Sequence, residues 1–264
     1  MTARRQPPAS PATAAEVDDD PWQRLRRFTR ARIALGRTGH SQTTDAVLAF
    51  GLAHAQARDA VHLPLDVGAV TAALDAAAVP NVAVHSAAPD RADYLRRPDL
   101  GRRLDDASRE RLAAARPREA PDVVFVMADG LSALATQTHA LPLLDATRQR
   151  LPQGWRIGPV VVAEQSRVAL GDEIGEILGA RQVVMLIGER PGLSSPDSLG
   201  IYLTYAPRTG RTDAERNCIS NVRPEGLPYA QAADRLAFLL RGAAALGRSG
   251  VDLKDDSVPA LPAG

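Results

Sequence analysis

The sequence predicts an α/β protein, with a small helical N-terminal domain followed by a Rossmann-like, mostly parallel α/β C-terminal domain. Three observations carry that reading. Short apolar runs of strand type fall at 122–128, 157–163, 182–187 and 199–205. Stretches of helical period separate or follow them, the pattern of βαβ units around a parallel sheet. Ahead of them, residues 22–78 read as helices without strand alternation. The expected organisation is a tail over 1–20, a helical domain over 21–105 and an α/β domain over 106–264.

Composition narrows the class. The chain has 264 residues, a length for one large domain or two small ones. Hydrophobic residues are 45% and charged residues 24%, a globular and not a disordered balance. Lys+Arg 32 against Asp+Glu 31 leaves a formal charge of +1, which argues against a basic nucleic-acid coat. Cys218 is the only cysteine, so no disulfide framework or multi-cysteine metal site can form within the chain. No apolar run is long enough to span a bilayer, and the first ten residues lack the apolar core of a secretory signal. The expected setting is soluble and cytoplasmic.

The elements follow in order. Pro7, Pro8 and Pro11 and the acidic run Asp18, Asp19 and Asp20 mark the tail. Pro21 opens a helix over 22–37, with the acidic run ahead of its positive end. Arg26, Arg27, Arg30 and Arg37 fall within an arc of about 100° on it, opposite Trp22, Leu25, Phe28 and Leu35. That stripe reads either as a docking face or as a solvated one. A second helix is expected over 44–59 with Val47, Leu48, Gly51, Leu52 and Ala55 buried, and a third over 66–78. Residues 81–85 form a strand. The polar, Arg-rich segment 89–104 reads as turns, and 106–115 as a helix.

The α/β part then begins. A strand at 122–128 leads into a helix over 132–150 interrupted at Pro142. A strand at 157–163, a helix over 170–178 and strands at 182–187 and 199–205 follow. Residues 206–227 read as a long loop. A terminal amphipathic helix over 228–245 buries Ala232, Ala233, Leu236, Leu239, Leu240 and Ala243, and the last dozen residues read as frayed.

Ligands of open α/β sheets bind outside the carboxyl ends of the strands. Four polar segments are expected at that edge: 128–132 and 188–192, which carry glycine, and 164–168 and 216–221. Bland readings stand beside each. Asp129-Gly130 suits a turn and helix cap, Glu189 and Arg190 a solvated pair, and Cys218 an inert small residue. Gly171, Gly175 and Gly179 recur every four residues, which suits close helix–sheet packing more than a flat ligand. No dinucleotide fingerprint, Walker loop or nucleophile elbow is present. The five histidines show no metal-ligand spacing. On its own chemistry the chain reads as a binder and not a self-sufficient catalyst. A free-standing nucleotide-binding protein and an RNA-binding adaptor are alternatives, the latter weakened by an aromatic content of 4%.

Five strings carry a resemblance: RARIALGRTG at 30–39, RPDLGRRLD at 97–105, VALGDEIGEILGA at 168–180, IGERPGLSSPDSLGIYLTY at 187–205 and RNCISNVRPEGLPYAQAA at 216–233. Together they resemble the small (light) subunit of ethanolamine ammonia-lyase over roughly residues 22–246. The resemblance implies an adenosylcobalamin-dependent holoenzyme that converts ethanolamine to acetaldehyde and ammonia by a radical route. It implies a barrel-shaped large subunit that binds the substrate and holds most catalytic groups, and a hexamer of large–small pairs without nucleic acid or membrane. It places the complex in the cytosol, or in a bacterial microcompartment where the organism has one. Family cofactor positions match Val168, Glu189 and Cys218, with no catalytic or metal residue assigned to this chain. The histidine signature of cobalamin domains that replace the lower axial base is missing, which suits a cofactor that keeps its own dimethylbenzimidazole on cobalt. The tail does not read as an amphipathic encapsulation helix.

Overall fold

The computed structural model describes residues 20–257. The chain divides into two units, 1–55 and 56–264, a division that falls inside helix α1 (Thr44–His62). The expected boundary lay at 105/106. Residues 81–85 form a strand of the main sheet, which ties the chain ahead of 105 to the α/β body. The expected tail at 1–20 lies outside the described residues except for Asp20.

The first unit corrects two expectations. The helix expected over 22–37 is a short 3₁₀ helix, Pro21–Phe28, capped by the Asp20 carboxylate on the Trp22 N–H. It stops because Thr29 turns extended and its hydroxyl takes the Ala31 N–H, a local bond that competes with helix continuation. Arg30 and Arg37 therefore share no helix face with Arg26. Trp22 and Phe28 stand 59% and 73% exposed. On α1 the expected buried stripe is also open, with Val47, Leu48 and Leu52 exposed and Ala53 buried. Apolar spacing marks one face of a helix, but it does not supply a layer to cover it.

The second unit is built on a six-stranded sheet. Its strands are β1 (Asn81–His85), β2 (Val124–Ala128), β3 (Val160–Glu164), β4 (Gln182–Gly188), β5 (Leu199–Tyr205) and β6 (Arg216–Val222). Their order is β1-β3-β2-β4-β5-β6. The first four run parallel, while β5 is antiparallel to both β4 and β6. The mostly parallel sheet of the sequence reading is therefore present. The helices of this unit are α2 (Val67–Ala76), α3 (Arg91–Arg96), α4 (Asp106–Ala114), α5 (Ala133–Arg148), α6 (Leu170–Leu178) and α7 (Tyr229–Leu246).

The period of two along each strand sorts the core into two layers. Phe125, Met127, Val160, Val162 and Val184 face Leu74 of α2, Leu143 of α5 and Leu236 of α7. Val124, Val126, Val161, Val183 and Met185 face Leu112 of α4 and Ile174 of α6. The expected stripe on α7 is fully buried from Ala232 to Ala243. Burying each large aliphatic side chain contributes about 1.5–3 kcal/mol, so both helical layers are strongly bound to the sheet.

Four local differences from the sequence reading have physical causes. Helix α5 runs through Pro142 without a break, because Pro142 sits on the exposed side where the carbonyl it leaves unpaired faces water. Helix α3 lies in the segment read as turns, started by the Asp90 carboxylate on the Asp93 N–H. Strand β6 lies in the segment read as loop. Its buried residues are Arg216, Ile219 and Val222, a spacing of three that hides the alternation of a strand: Arg216 and Ile219 lie on opposite faces, and a register shift opposite Leu199 and Ile201 separates Ile219 from Val222. Leu253 is buried and meets Gly242, so the expected fray does not include it, while 258–264 lies outside the described residues.

The glycine row on α6 serves packing, as the bland reading held. A Cβ on Gly171 would lie 2.5 Å from Met185 Sδ, and one on Gly175 would lie 2.4 Å from Pro207 Cγ. The same helix is pinned to β6 by a buried ion pair. Arg216 donates to both Asp172 oxygens at 2.6 and 2.7 Å, and to Thr204 Oγ1 and the Arg211 carbonyl. Both side chains are almost fully enclosed, at 3% and 2% exposure. Burial pushes the Asp172 carboxyl up, and the guanidinium hydrogen bonds pull it back down. Arg216→Met should cost about 3–5 kcal/mol in urea denaturation, because it leaves Asp172 buried and unpaired. The double variant Asp172→Leu, Arg216→Met should recover most of that loss. A single variant within about 1 kcal/mol of the parent would show that the pair behaves like a surface bridge.

Candidate functional site

After β2 the chain moves to β3 on one side, and after β3 it crosses to β4 on the other. The carboxyl ends of β2 and β4 thus flank a topological switch point, the place where open α/β sheets form ligand crevices. A crevice of about 540 Å³ opens there. Its walls include Gly130 and Leu131 after β2, Arg167 and Val168 after β3, and Gly188 and Glu189 after β4. Tyr94, Ile187, Arg190, Tyr202 and Ser220 complete them. A larger depression of about 820 Å³ lies within residues 20–42 of the first unit, and none of the expected site residues line it.

One carboxylate organises the loops. Asp129 follows β2 and is 2% exposed. Its Oδ1 accepts from the Ser166 N–H at 2.9 Å and its Oδ2 from the Gln165 N–H at 2.8 Å, so it holds the loop after β3. Arg91 of α3 lies 3.4 Å from Oδ2 and donates to the Gly130 carbonyl at 2.9 Å. Asp129 is therefore a buried clamp, and the cap of α5 is Ser132 instead, whose hydroxyl takes the Ala135 N–H. Gln165 adopts a φ of 50°, a left-handed conformation that its bond to Asp129 helps to hold.

Glycine is required at the floor. Gly130 has a φ of 54°, and a Cβ on it would lie 2.2 Å from the Gly188 carbonyl oxygen. A Cβ on Gly188 would lie 2.0 Å from the Ser132 carbonyl oxygen. The loops after β2 and β4 are in direct backbone contact, which leaves the crevice floor free of side chains.

Glu189 stands where the sequence placed it, at the sheet edge. Its N–H bonds the Ser198 carbonyl at 2.9 Å, and its Oε2 accepts from the Ser198 hydroxyl and the Asn221 N–H. Both carboxylate bonds fall on Oε2, which leaves Oε1 without a hydrogen bond among the described residues. Gly200 of β5 makes room for this group, since a Cβ there would lie 3.0 Å from Oε1. No ion pair joins Glu189 to Arg190, so the solvated-pair reading does not apply.

The structure brings Val168 and Glu189 into the same crevice. Cys218 is exposed on β6, opposite Tyr202, with its Sγ 3.4 Å from Ser220 Oγ. It flanks the crevice through those two wall residues and is not itself part of the lining. Tyr202 is held protonated, its pKa raised first by burial and then by Cys218 and Glu189.

Tyr94 of the wall and Arg91 beside it went unrecognised in the sequence. Tyr94 is fully buried and donates its hydroxyl to the Ser166 carbonyl at 2.9 Å. Its ring lies between two guanidinium groups, Arg91 at 4.7 Å and Arg167 at 4.1 Å from the centroid. Arg91 and Tyr94 sit three apart on α3, a spacing that places them on one face once the helix is known. The loop after β4 is fastened separately: Ser132 Oγ donates to the Pro196 carbonyl, and buried His139 contacts the Tyr229 hydroxyl at 2.7 Å and Asp197 at 3.2 Å. Among the described residues no group of three His, Cys, Asp or Glu could hold a metal ion, and no helix is long and apolar enough to cross a membrane.

Burial pushes the Asp129 carboxyl up to about 6, against the pull of the Ser166 N–H and the Arg91 charge. An acid whose value is raised on folding binds its proton more tightly in the native state. Its contribution to stability therefore grows as pH falls from about 6 toward the ordinary value of 3.8. At 1.36 kcal/mol per unit, that span is worth roughly 3 kcal/mol. The stability difference between parent and Asp129→Asn, measured by denaturation at pH 7 and pH 4, should shift toward the parent at the lower pH by roughly 2–3 kcal/mol. A difference that stays constant would mean that the carboxyl titrates as if it were exposed.

Comparison with known proteins adds the family. A family model described as "Ethanolamine ammonia-lyase light chain (EutC)" matches residues 19–254. The chain is 59% identical over 251 residues to a protein of Azotobacter vinelandii named ethanolamine ammonia-lyase small subunit, covering 94% of this chain and 91% of that one. It is 58% identical over 257 residues to a protein of the same name from Ralstonia nicotianae, covering 96% and 95%. A third protein of that name, from Pseudomonas fluorescens strain SBW25, is 55% identical over 251 residues, covering 94% and 90%.

Proposed function

The chain belongs to the ethanolamine ammonia-lyase light-chain family, and from that premise we propose that it is the small subunit of such a lyase and completes an adenosylcobalamin site where it meets the large subunit. The observation that carries the reading is the meeting of Val168 and Glu189 in one crevice at the switch point of the sheet. The two residues lie 21 positions apart on loops after different strands.

The crevice fits the cofactor by its chemistry. A corrin presents an apolar rim with peripheral amides. Glu189 Oε1 is an acceptor with no protein partner, suited to an amide N–H. Val168 and Leu131 offer apolar contact. The floor at Gly130 and Gly188 is bare backbone that any Cβ would fill. Tyr94 and Tyr202 are kept neutral by burial, so they add no charge against the ring. Cys218 stands beside Tyr202 and would meet the cofactor from the flank of the crevice.

Bound adenosylcobalamin supplies radical chemistry for the conversion of ethanolamine to acetaldehyde and ammonia. This chain's residues bind and orient. Glu189 is held at Oε2 by two donors, Ser198 just before β5 and Asn221 on β6, so its free oxygen keeps one direction. The substrate and the groups that act on it belong to the large subunit, and the active assembly is a hexamer of large–small pairs. It works in the cytosol, or in a microcompartment where the organism has one.

Two outcomes test the reading. The purified chain with adenosylcobalamin should release no acetaldehyde from ethanolamine, whereas the chain mixed with the large subunit should. Turnover by the chain alone would overturn the division of labour. In the reconstituted complex, Glu189→Gln should raise the cofactor concentration for half-maximal turnover by about tenfold or more, the cost of losing a charge-assisted hydrogen bond. Maximal turnover should return to near the parent value. A collapse of maximal turnover at unchanged half-saturation would give Glu189 a part in the chemistry instead.

A further inference from the structure

Of the two arginines in the crevice wall, Arg190 is exposed to solvent, whereas Arg167 is half-buried and sparsely satisfied. Its guanidinium can donate five N–H bonds, and the protein takes one, from Nη2 to the Tyr94 carbonyl at 3.1 Å. Its Nε is shielded from solvent and has no hydrogen-bond partner. An enclosed Nε is out of a ligand's reach as the side chain stands, whereas Nη1 makes no hydrogen bond within the protein and is the donor left for an acceptor in the crevice. No carboxylate forms an ion pair with Arg167. Asp129, the buried acid of the neighbouring network, is committed to Gln165, Ser166 and Arg91. The acid among the crevice residues is Glu189, set against two cations, Arg167 and Arg190.

The group is also held in place. The guanidinium lies 4.1 Å from the Tyr94 ring centroid. The Arg167 N–H bonds the Gly101 carbonyl at 2.8 Å, and its side chain packs where a Cβ on Gly101 would lie 2.9 Å from Arg167 Cγ. A planar, fixed guanidinium with unused donors and no counter-charge is the arrangement that recognises a phosphate. At the other wall, Glu189 Oε1 calls for a donor. The crevice thus asks for a ligand with amide donors at one end and a phosphate anion at the other.

We propose that Arg167 anchors the phosphodiester anion of the cofactor's nucleotide loop, while Glu189 addresses the corrin amides. The assignment rests on the cobalamin reading above and divides the crevice into an anionic and an amide subsite.

The test is equilibrium dialysis of the assembled two-subunit complex against adenosylcobalamin and against adenosylcobinamide, which lacks the nucleotide loop and its phosphate. Arg167→Gln should weaken adenosylcobalamin about tenfold or more. Arg167→Glu should weaken it further, and Arg167→Lys, which keeps the charge, should weaken it less than Arg167→Gln. Adenosylcobinamide affinity should be unchanged in all three. Equal losses for both ligands, with Lys as damaging as Gln, would make Arg167 a packing residue for Tyr94 and overturn the proposal, as would no loss for either ligand. Glu189→Gln, measured in parallel, should weaken both ligands. If it does while the Arg167 variants change neither, the cofactor reading stands and the phosphate subsite falls. If no variant at either residue changes either ligand, the crevice is not the cobalamin site and both readings fall together.

Discussion

Asp129 sits at the end of a fully buried strand, where the backbone N–H groups of Gln165 and Ser166 would otherwise meet a low-dielectric interior without partners. Its two oxygens take one N–H each, and Arg91 reaches it from α3. Two loops and helix α3, distant in sequence, are thereby fixed against one another. The arrangement carries an electrostatic cost, visible in the carboxyl being pushed up to about 6 by burial. It persists because removing the acceptor would leave two buried amides unpaired, a penalty of about 1–3 kcal/mol each. Val168 lies two residues beyond Ser166, and Tyr94 hangs from the Ser166 carbonyl. The crevice wall is a consequence of the clamp.

The antiparallel end of the sheet does a different task. Strands β5 and β6 extend the sheet past β4 and return the chain to the carboxyl edge, so that Asn221 can donate to Glu189. Gly200 on β5 leaves the space that the Glu189 carboxylate occupies. A purely parallel sheet ending at β4 would leave this carboxylate free to rotate. The buried Arg216–Asp172 pair joins the same β6 to α6, the helix that begins just after Val168. Both walls of the crevice are thus tied to elements whose positions are set by packing.

Much of this was legible in the sequence because burial writes itself into composition. The runs VVFVMA, PVVVA and QVVMLI suit strands enclosed on both faces, and the rule that ligands sit at their carboxyl ends then points to the segments 128–132, 164–168 and 188–192, within which the family resemblance marked Val168 and Glu189. Strand β6 was not legible, since burial of Arg216 on one face and Ile219 on the other, and the bulge between Ile219 and Val222, leave a spacing of three in place of alternation. The Arg91–Tyr94–Arg167 stack was not legible either. It joins residues over 70 positions apart, and no local pattern records that Tyr94 will sit between two guanidinium groups. In the first unit the apolar spacing was real, but Leu48 and Leu52 remain exposed. Periodicity reports which side chains share a face and says nothing of what covers it.

The same distinction separates the fold from the site. Core residues such as Phe125 and Leu143 respond to a bulk requirement that any apolar side chain of similar volume partly meets. The groups of the crevice answer to direction. Glu189 has one oxygen engaged by the Ser198 hydroxyl and the Asn221 N–H and one left open. Arg167 is stacked and tethered with most of its donors unused. Each is immobilised through the part of the side chain that a ligand does not need. A ligand meeting such groups avoids ordering them on arrival, a saving of about 0.5–1.5 kcal/mol for each side chain fixed in advance. Preorganisation of this kind needs partners on several strands at once, which is why it arises at the switch point, where β2, β3, β4 and the returning β6 converge.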